Sequence, residues 1–193
     1  MSNIIFAGLG NYGTKYENTF HNVGFITLDN IFSEISNLSF QSNWLEKYSG
    51  LYAVLPFNGY KIIFLKPQTY MNNSGICVSQ FKNFFKIPNE NIFIFHDDID
   101  LKFGFVKIKN GGGNGGHNGL KSLDSHIGND YNRIRIGIGR PNGEQEVANF
   151  VLSSMQNEQI DRINSISNLI LKNIIFLLEK KFSIIQENIN SNF

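Results

Sequence analysis

The chain has 193 residues, 41% of them hydrophobic and 17% charged, with a formal net charge of +1 and a mean hydropathy of -0.17. This is one domain's length with enough apolar content for a sizeable core, which excludes a disordered or fibrous protein, and the near-neutral balance leaves binding of any polyanion to local clusters of charge. No apolar run approaches the ~20 residues of a membrane span, Met1-Ser2-Asn3 does not open like a secretory leader, and a single cysteine, Cys77, excludes an internal disulfide framework and a multi-cysteine zinc cage.

A cytoplasmic protein is therefore expected, with Cys77 as a buried small hydrophobe between Ile76 and Val78. The run Ile4 to Ala7 reads as a buried strand ending in a tight loop at Gly8, Gly10 and Gly13. After a polar stretch from Thr14 to Asn22, Val23, Ile26, Leu28, Ile31, Phe32 and Ile35 recur at helical spacing and predict an amphipathic helix ending near Asn37. Leu51 to Leu55 and Ile62 to Leu65 flank Asn58-Gly59, which predicts a hairpin. Pro67 stops its second strand, and Ile76, Phe81 and Phe84 predict a helix reaching Pro88.

Ile92 to Phe95 is a further buried strand that runs straight into the polar His96-Asp97-Asp98. Phe105 to Lys109 alternates with period two, so one face of that strand should be wet and basic. The glycine-rich segment from Gly111 to Gly119 precedes a helix, and Ile134, Ile136 and Ile138 alternate with Arg133 and Arg135 in another strand. The tail from Gln156 to Asn188 predicts one long amphipathic helix. Strands and helices interleaved in this way predict an α/β fold: a three-layer sandwich with a central, mostly parallel mixed sheet flanked by helices, forming one domain over residues 1–193.

Three local patterns have competing readings. Gly8-Leu9-Gly10-Asn11-Tyr12-Gly13 has the G-x-G-x-x-G spacing of a dinucleotide site, but no helical period follows it, and Asp29 and Glu34 fall inside a helix instead of closing a second strand. In the Gly111 to Ser122 segment, Leu120 separates Gly119 from Lys121, so the G-K-[ST] junction of a P-loop is missing, although its glycines free backbone N–H groups for an anion or an extended chain. His21, His96, His117 and His126, with Asp97, Asp98 and Asp100, show no H-E-x-x-H spacing, so no metal is expected. Asp97, at the mouth of a buried strand, is well placed to hold an imidazole in one tautomer.

Taken in order, Gly8 to Gly13, Tyr16, Thr19-Phe-His-Asn-Val-Gly24, Lys66-Pro-Gln-Thr-Tyr-Met-Asn-Asn-Ser-Gly75, His96-Asp-Asp-Ile-Asp-Leu101, Gly111 to Leu120 and Arg133-Ile-Arg-Ile-Gly-Ile-Gly-Arg-Pro141 resemble the bacterial-type peptidyl-tRNA hydrolase family. The resemblance runs from about Ile4 to Pro141 and departs at Tyr12, where the family generally has proline, and at Asn114, in a variable position of the glycine loop.

The resemblance implies hydrolysis of the ester joining a peptide's C-terminal carboxyl to the 3′ ribose of tRNA. It makes His21 the base that activates water and Asp97 the carboxylate that orients it. Asn11, Asn72 and Asn118 would hold the peptide's amides and position water or the oxyanion, with Tyr16 and Tyr70 in the substrate-binding set. Lys109 and Arg135 would hold tRNA phosphates, Lys107 sharing their face. No cofactor is implied, and the expected partner is peptidyl-tRNA, bound by a monomer without a membrane. The competing classes are a catalytically inactive RNA-binding protein on the same fold, opposed by the joint presence of His21, Asp97, Asn11 and Asn118, and a nucleotide-dependent oxidoreductase using Gly8 to Gly13.

Overall fold

The computed structural model describes residues 2–39, 43–141 and 146–192. Seven strands, β1 (Ser2–Gly8), β2 (Leu45–Lys47), β3 (Gly50–Phe57), β4 (Tyr60–Pro67), β5 (Ile92–Asp98), β6 (Val106–Asn110) and β7 (Asn132–Gly137), form one sheet in the order β2-β3-β4-β1-β5-β7-β6. The inner strands β4, β1, β5 and β7 pair in parallel, and antiparallel pairing is confined to the two margins. The helices are α1 (Val23–Ser39), α2 (Ser74–Phe85), α3 (Asn118–Ile127), α4 (Val147–Val151), α5 (Asn157–Lys172), α6 (Ile174–Leu178) and α7 (Phe182–Asn190).

The three layers follow from alternation along strands whose two faces are both covered. Ile4, Phe6, Phe93, Phe95, Ile134 and Ile136 point to one face, where α1, α5, α6 and α7 bury Leu28, Ile31, Ile163, Ile170, Leu177 and Ile185. Ile5, Ala7, Ile63, Leu65, Ile92 and Ile94 point to the other and meet Cys77, Val78 and Phe81 of α2 and Leu120 and Leu123 of α3. Continuous apolar strands such as Ile92–Phe95 are the signature of such two-sided burial. Cys77 is buried as expected, and burial alone pushes its thiol up to about 12. The Asn58-Gly59 hairpin also forms, with both residues at positive φ (44° and 81°), the geometry that two-residue turns require.

Order in the sheet places the site. From β1 the chain moves outward through α1 to β2, β3 and β4, then returns through α2 to β5 on the other side of β1. The helices leaving β1 and entering β5 therefore cover opposite faces, and a crevice opens at the carboxyl ends of these two strands, where ligands of open α/β sheets bind. Close approach there depends on Gly24: a Cβ at this position would overlap the carbonyl oxygens of Phe95 and Leu9.

One expectation is corrected. The tail is three helices in place of one, because Asn173 closes α5 and opens α6, its amide donating to the Leu169 carbonyl, and Lys180 turns at φ 58° before α7. The apolar period persists because all three bury residues in the same core. Arg133, on β7, is buried at 1% exposure.

At the margin, α7 covers the free edge of β6 with side-chain amides. Asn190 accepts from the Val106 N–H (2.9 Å) and donates to the Val106 carbonyl (2.8 Å), while Gln186 accepts from the Ile108 N–H (2.6 Å). Covering an edge in this way removes a template for strand pairing with another chain.

Because the crevice needs the α1 backbone pressed onto β1 and β5, Gly24→Ala should lower unfolding stability by roughly 1–3 kcal/mol, the usual cost of overpacking. Gly113→Ala, where an added Cβ meets nothing within 4 Å, should be nearly neutral. Urea unfolding of both variants checks this; equal stability would show that α1 yields at no cost.

Candidate active site

A short 3-10 turn, Phe20–Asn22, delivers His21 to the crevice immediately before α1, and the carboxyl end of β5 delivers Asp97. His21 Nδ1 lies 2.9 Å from both Asp97 carboxylate oxygens, and His117 Nε2 lies 2.8 Å from Asp97 Oδ1. The His117 ring caps α3: its Nδ1 accepts from the N–H groups of Gly119 (3.1 Å) and Leu120 (3.3 Å). Hydrogen bonding fixes both tautomers. With Nδ1 an acceptor, His117 carries its proton on Nε2 and donates it to Asp97; His21 donates from Nδ1, which leaves its Nε2 lone pair available.

Asp97 is 2% exposed and His21 8%. Burial opposes ionisation of Asp97, but the two imidazoles beside it hold its carboxyl well below the usual carboxylate range. Burial likewise opposes a charged His21, and the Asp97 carboxylate outweighs it, so the imidazole is raised above its ordinary value. His96, on the same strand end, goes the other way: complete burial, then the neighbouring His117, pull it down to about 3. Its Nδ1 donates to the Asp97 carbonyl (2.7 Å). The Asp97 carboxylate thus has one neighbouring imidazole made more basic and another made less basic.

Among the other expected residues, Asn11 is buried, and much of its hydrogen-bonding capacity is structural. Its N–H donates to Asn22 Oδ1 (2.8 Å), its carbonyl accepts from Asn22 Nδ2 (2.9 Å), and its Oδ1 accepts from the Met71 N–H (2.8 Å). The last bond holds Tyr70 at φ 56°, ψ 161°, a conformation open mainly to glycine that costs about 1–3 kcal/mol. Tyr70 packs on Tyr12 (ring centroids 4.2 Å) and edge-on against Tyr16 (6.4 Å). The surface beside Asn11 therefore carries an exposed aromatic group in which Tyr12, at the position of departure from the family pattern, takes part. Asn72 is exposed on the turn Met71–Asn73.

A cavity of about 460 Å³ is lined by His21, Asp97, His117, Asn118, Lys109 and Arg135, among others. Asn118, Lys109 and Arg135 thus share one cleft with the His21–Asp97 pair, whereas Asn11, Tyr16, Tyr70 and Asn72 do not line it; Asn11 is bonded to Asn22, the neighbour of His21, and to Met71, the neighbour of Tyr70 and Asn72. Arg135 pairs with Asp98 (2.6 Å). Burial, then the neighbouring Arg135, Arg133 and Lys107, lower the Lys109 ammonium.

His117 is the partner of Asp97 that the sequence reading did not select. Its signal was present, a histidine directly before a helix start in a glycine loop, but its distance to Asp97 is a tertiary fact.

His21, Asp97 and His117 place three ligand-type atoms within 4.8 Å of one another. The hydrogen bonds assign protons to that space: ligation through His117 Nε2 would require a ring with no proton on either nitrogen while Nδ1 still accepts two backbone N–H bonds.

The family model for peptidyl-tRNA hydrolase matches residues 5–193. A peptidyl-tRNA hydrolase from Aliarcobacter butzleri is 50% identical over 167 residues, covering 84% of this chain and 85% of that one. Another from Rickettsia bellii is 49% identical over 177 residues, covering 88% and 94%. Among solved structures, a peptidyl-tRNA hydrolase from Acinetobacter baumannii superposes with a TM-score of 0.86 at 32% identity, covering 98% of this chain and 94% of that chain. With a matching family model over nearly its whole length, the chain belongs to the peptidyl-tRNA hydrolase family.

Proposed function

We propose that the chain hydrolyses the ester between a peptide and the 3′ ribose of tRNA, recycling tRNA from aborted translation, with His21 as general base and Asp97 as its orienting partner. The observation that carries this is the buried His21–Asp97 pair, in which Asp97 fixes the Nδ1–H tautomer and leaves Nε2 as a base. Water loses a proton to Nε2 as its oxygen attacks the ester carbonyl. The tetrahedral oxyanion then expels the 3′ ribose oxygen, which takes the proton back from the imidazolium. The products are tRNA with a free 3′ hydroxyl and the peptide's carboxylic acid, which releases its remaining proton to solvent as the carboxylate.

Asp97 stabilises the imidazolium between the two proton transfers. Asn72 and Asn118 supply amide donors for the oxyanion and the peptide backbone, and the Nδ2 group of Asn11, its oxygen already committed, does the same. Tyr16 and Tyr70 line the approach of the substrate. Lys109 and Arg135 hold tRNA phosphates and give a nearly neutral chain its local positive face. No cofactor takes part. The chain works as a monomer, in keeping with a cleft built from a single chain, and in the cytoplasm. Among the described residues no helix is long and apolar enough to cross a membrane.

Release of free tRNA from an N-blocked aminoacyl-tRNA by the purified chain tests the activity directly. His21→Ala should lower the single-turnover rate by ~10² to 10⁴, Asp97→Asn should also lose rate, and the double variant should be scarcely worse than His21→Ala, because the two act as one unit. A His21→Ala rate above about a tenth of wild type is incompatible with a general base of that power.

The pH dependence has a definite sign. A base acts only when deprotonated, and Asp97 raises His21 above its ordinary 6.5, so kcat/KM should rise with pH through one ionisation centred above 6.5 and then level off. Asp97→Asn should move that midpoint to lower pH; a midpoint that stays put would exclude the carboxylate as its cause.

Lys109→Ala and Arg135→Ala should each lower kcat/KM more for peptidyl-tRNA than for a minimal ester lacking most of the tRNA. Each should also reduce the salt slope of log K by ~1. Unchanged salt dependence in both variants would place the phosphates elsewhere.

A further inference from the structure

Among the described residues Arg133 is the largest side chain buried to this degree, at 1% exposure, and the catalytic steps above do not use it. From β7 it reaches beneath the glycine-rich loop. Its Nη1 donates to the Gly113 carbonyl (2.7 Å), and its Nη2 donates to the Gly112 carbonyl (2.7 Å) and to Asp124 Oδ1 (3.2 Å). Its guanidinium lies over the Tyr131 ring, 4.7 Å from the centroid. Asp124, on α3, also accepts from the Tyr131 hydroxyl (2.9 Å) and from Asn114 Nδ2 (3.2 Å). A buried charge with one carboxylate and two main-chain carbonyls as partners commits its surroundings strongly, since removing any of them leaves a polar group without compensation.

The two carbonyls determine where the loop's donors point. In a trans peptide the C=O of one residue and the N–H of the next are antiparallel, and the chain contains no cis bond among the described residues. With the carbonyls of Gly112 and Gly113 turned onto Arg133, the N–H groups of Gly113 and Asn114 point away from it. Neither has an acceptor among the described residues. The positive φ of Gly111 (65°) and Gly112 (105°) brings the loop into this arrangement. The Lys109 ammonium lies against Gly112, and Gly113, Asn114, Lys109 and Arg135 line the same cavity. Consecutive outward amides beside an ammonium form a concavity for an anion.

We infer that Arg133 is a positioning residue whose guanidinium turns the Gly113 and Asn114 amides outward as a phosphate-binding pair beside Lys109. The inference rests on reading the chain as an enzyme of tRNA, whose backbone supplies the phosphate. Lys109 and Arg135 contribute charge to that phosphate, and the two amides contribute direction, which long flexible side chains fix poorly. Arg133 borders the same cavity, but its Nη donors are committed to Gly113, Gly112 and Asp124, so it acts through the two amides.

The test is an amide NMR titration of the isotope-labelled chain with inorganic phosphate. The Gly113 and Asn114 signals should move saturably in the wild type, and in Arg133→Lys, which keeps a charge but cannot span both carbonyls, the response should weaken markedly. Should that variant not fold, the wild-type titration decides alone: if these two amides stay still while the Lys109 region responds, the inference is wrong. A response to an N-acetylated peptide amide in place of phosphate would also overturn it, by making the loop a peptide site. With peptidyl-tRNA, Arg133→Lys should raise KM roughly tenfold, the scale of a charge-assisted hydrogen bond, with a smaller change in kcat. A fall in kcat alone would instead tie Arg133 to the reacting centre. These outcomes are separable from the hydrolase reading, because phosphate titration needs no turnover and tRNA release needs no amide assignment.

Discussion

A buried carboxylate at the end of β5 organises this molecule. Asp97 sits where water is scarce, and an ionised carboxylate there is costly unless its lone pairs are filled. His21 arrives from the α1 side of the sheet and His117 from the α3 side, so the charge holds together elements on opposite faces of the fold. Each imidazole must present a particular nitrogen, and each is held from behind: His117 by two backbone N–H groups at the start of α3, His21 by a turn whose next residue, Asn22, is bound to Asn11. The same bonds that make the charge tolerable fix the tautomer that leaves His21 Nε2 free.

The sheet makes that convergence possible. At the carboxyl ends of β1 and β5, loops from both helical layers meet without crossing the core. There the packing is of backbone on backbone. Gly24 lets α1 touch the ends of both strands, and Gly75 on α2 lies against the Ser122 carbonyl of α3, its N–H bonded to Ser122 Oγ at 3.0 Å. The site's walls are therefore set by main-chain contact, which leaves less play than contacts between long side chains.

Much of this was legible in the sequence because local chemistry and periodicity agree with the fold. Ile92–Phe95 running into His96-Asp97-Asp98 announced a buried strand with a polar mouth, and Asn58-Gly59 announced its turn. His21 and Asp97 were legible through their motifs, which record chemistry directly. The break at Asn173 was not legible, since asparagine in a helical pattern becomes a stop only when neighbouring turns have somewhere to pack. The burial of Arg133 was not legible, because period-two alternation marks the face a side chain occupies and not whether that face is wet. Its carbonyl and carboxylate partners lie 9 to 21 residues earlier in the chain and meet it only after folding. The Asp97–His117 bond was hidden for the same reason.

The amides that α7 lays along β6 have a consequence for the protein's life in solution. Asn190 and Gln186 imitate a neighbouring strand without providing one, so the sheet ends in side chains that cannot propagate pairing to another copy. The three bonds depend on two residues within a single turn-and-a-half of helix. A nonsense change within α7 ahead of Gln186 would leave the cleft's own residues encoded intact and yet expose the N–H groups of Val106 and Ile108 on the strand that carries Lys107 and Lys109. Selection on the last residues of this chain would then act through colloidal behaviour, and alleles damaged there would register as loss of soluble protein before any loss of chemistry.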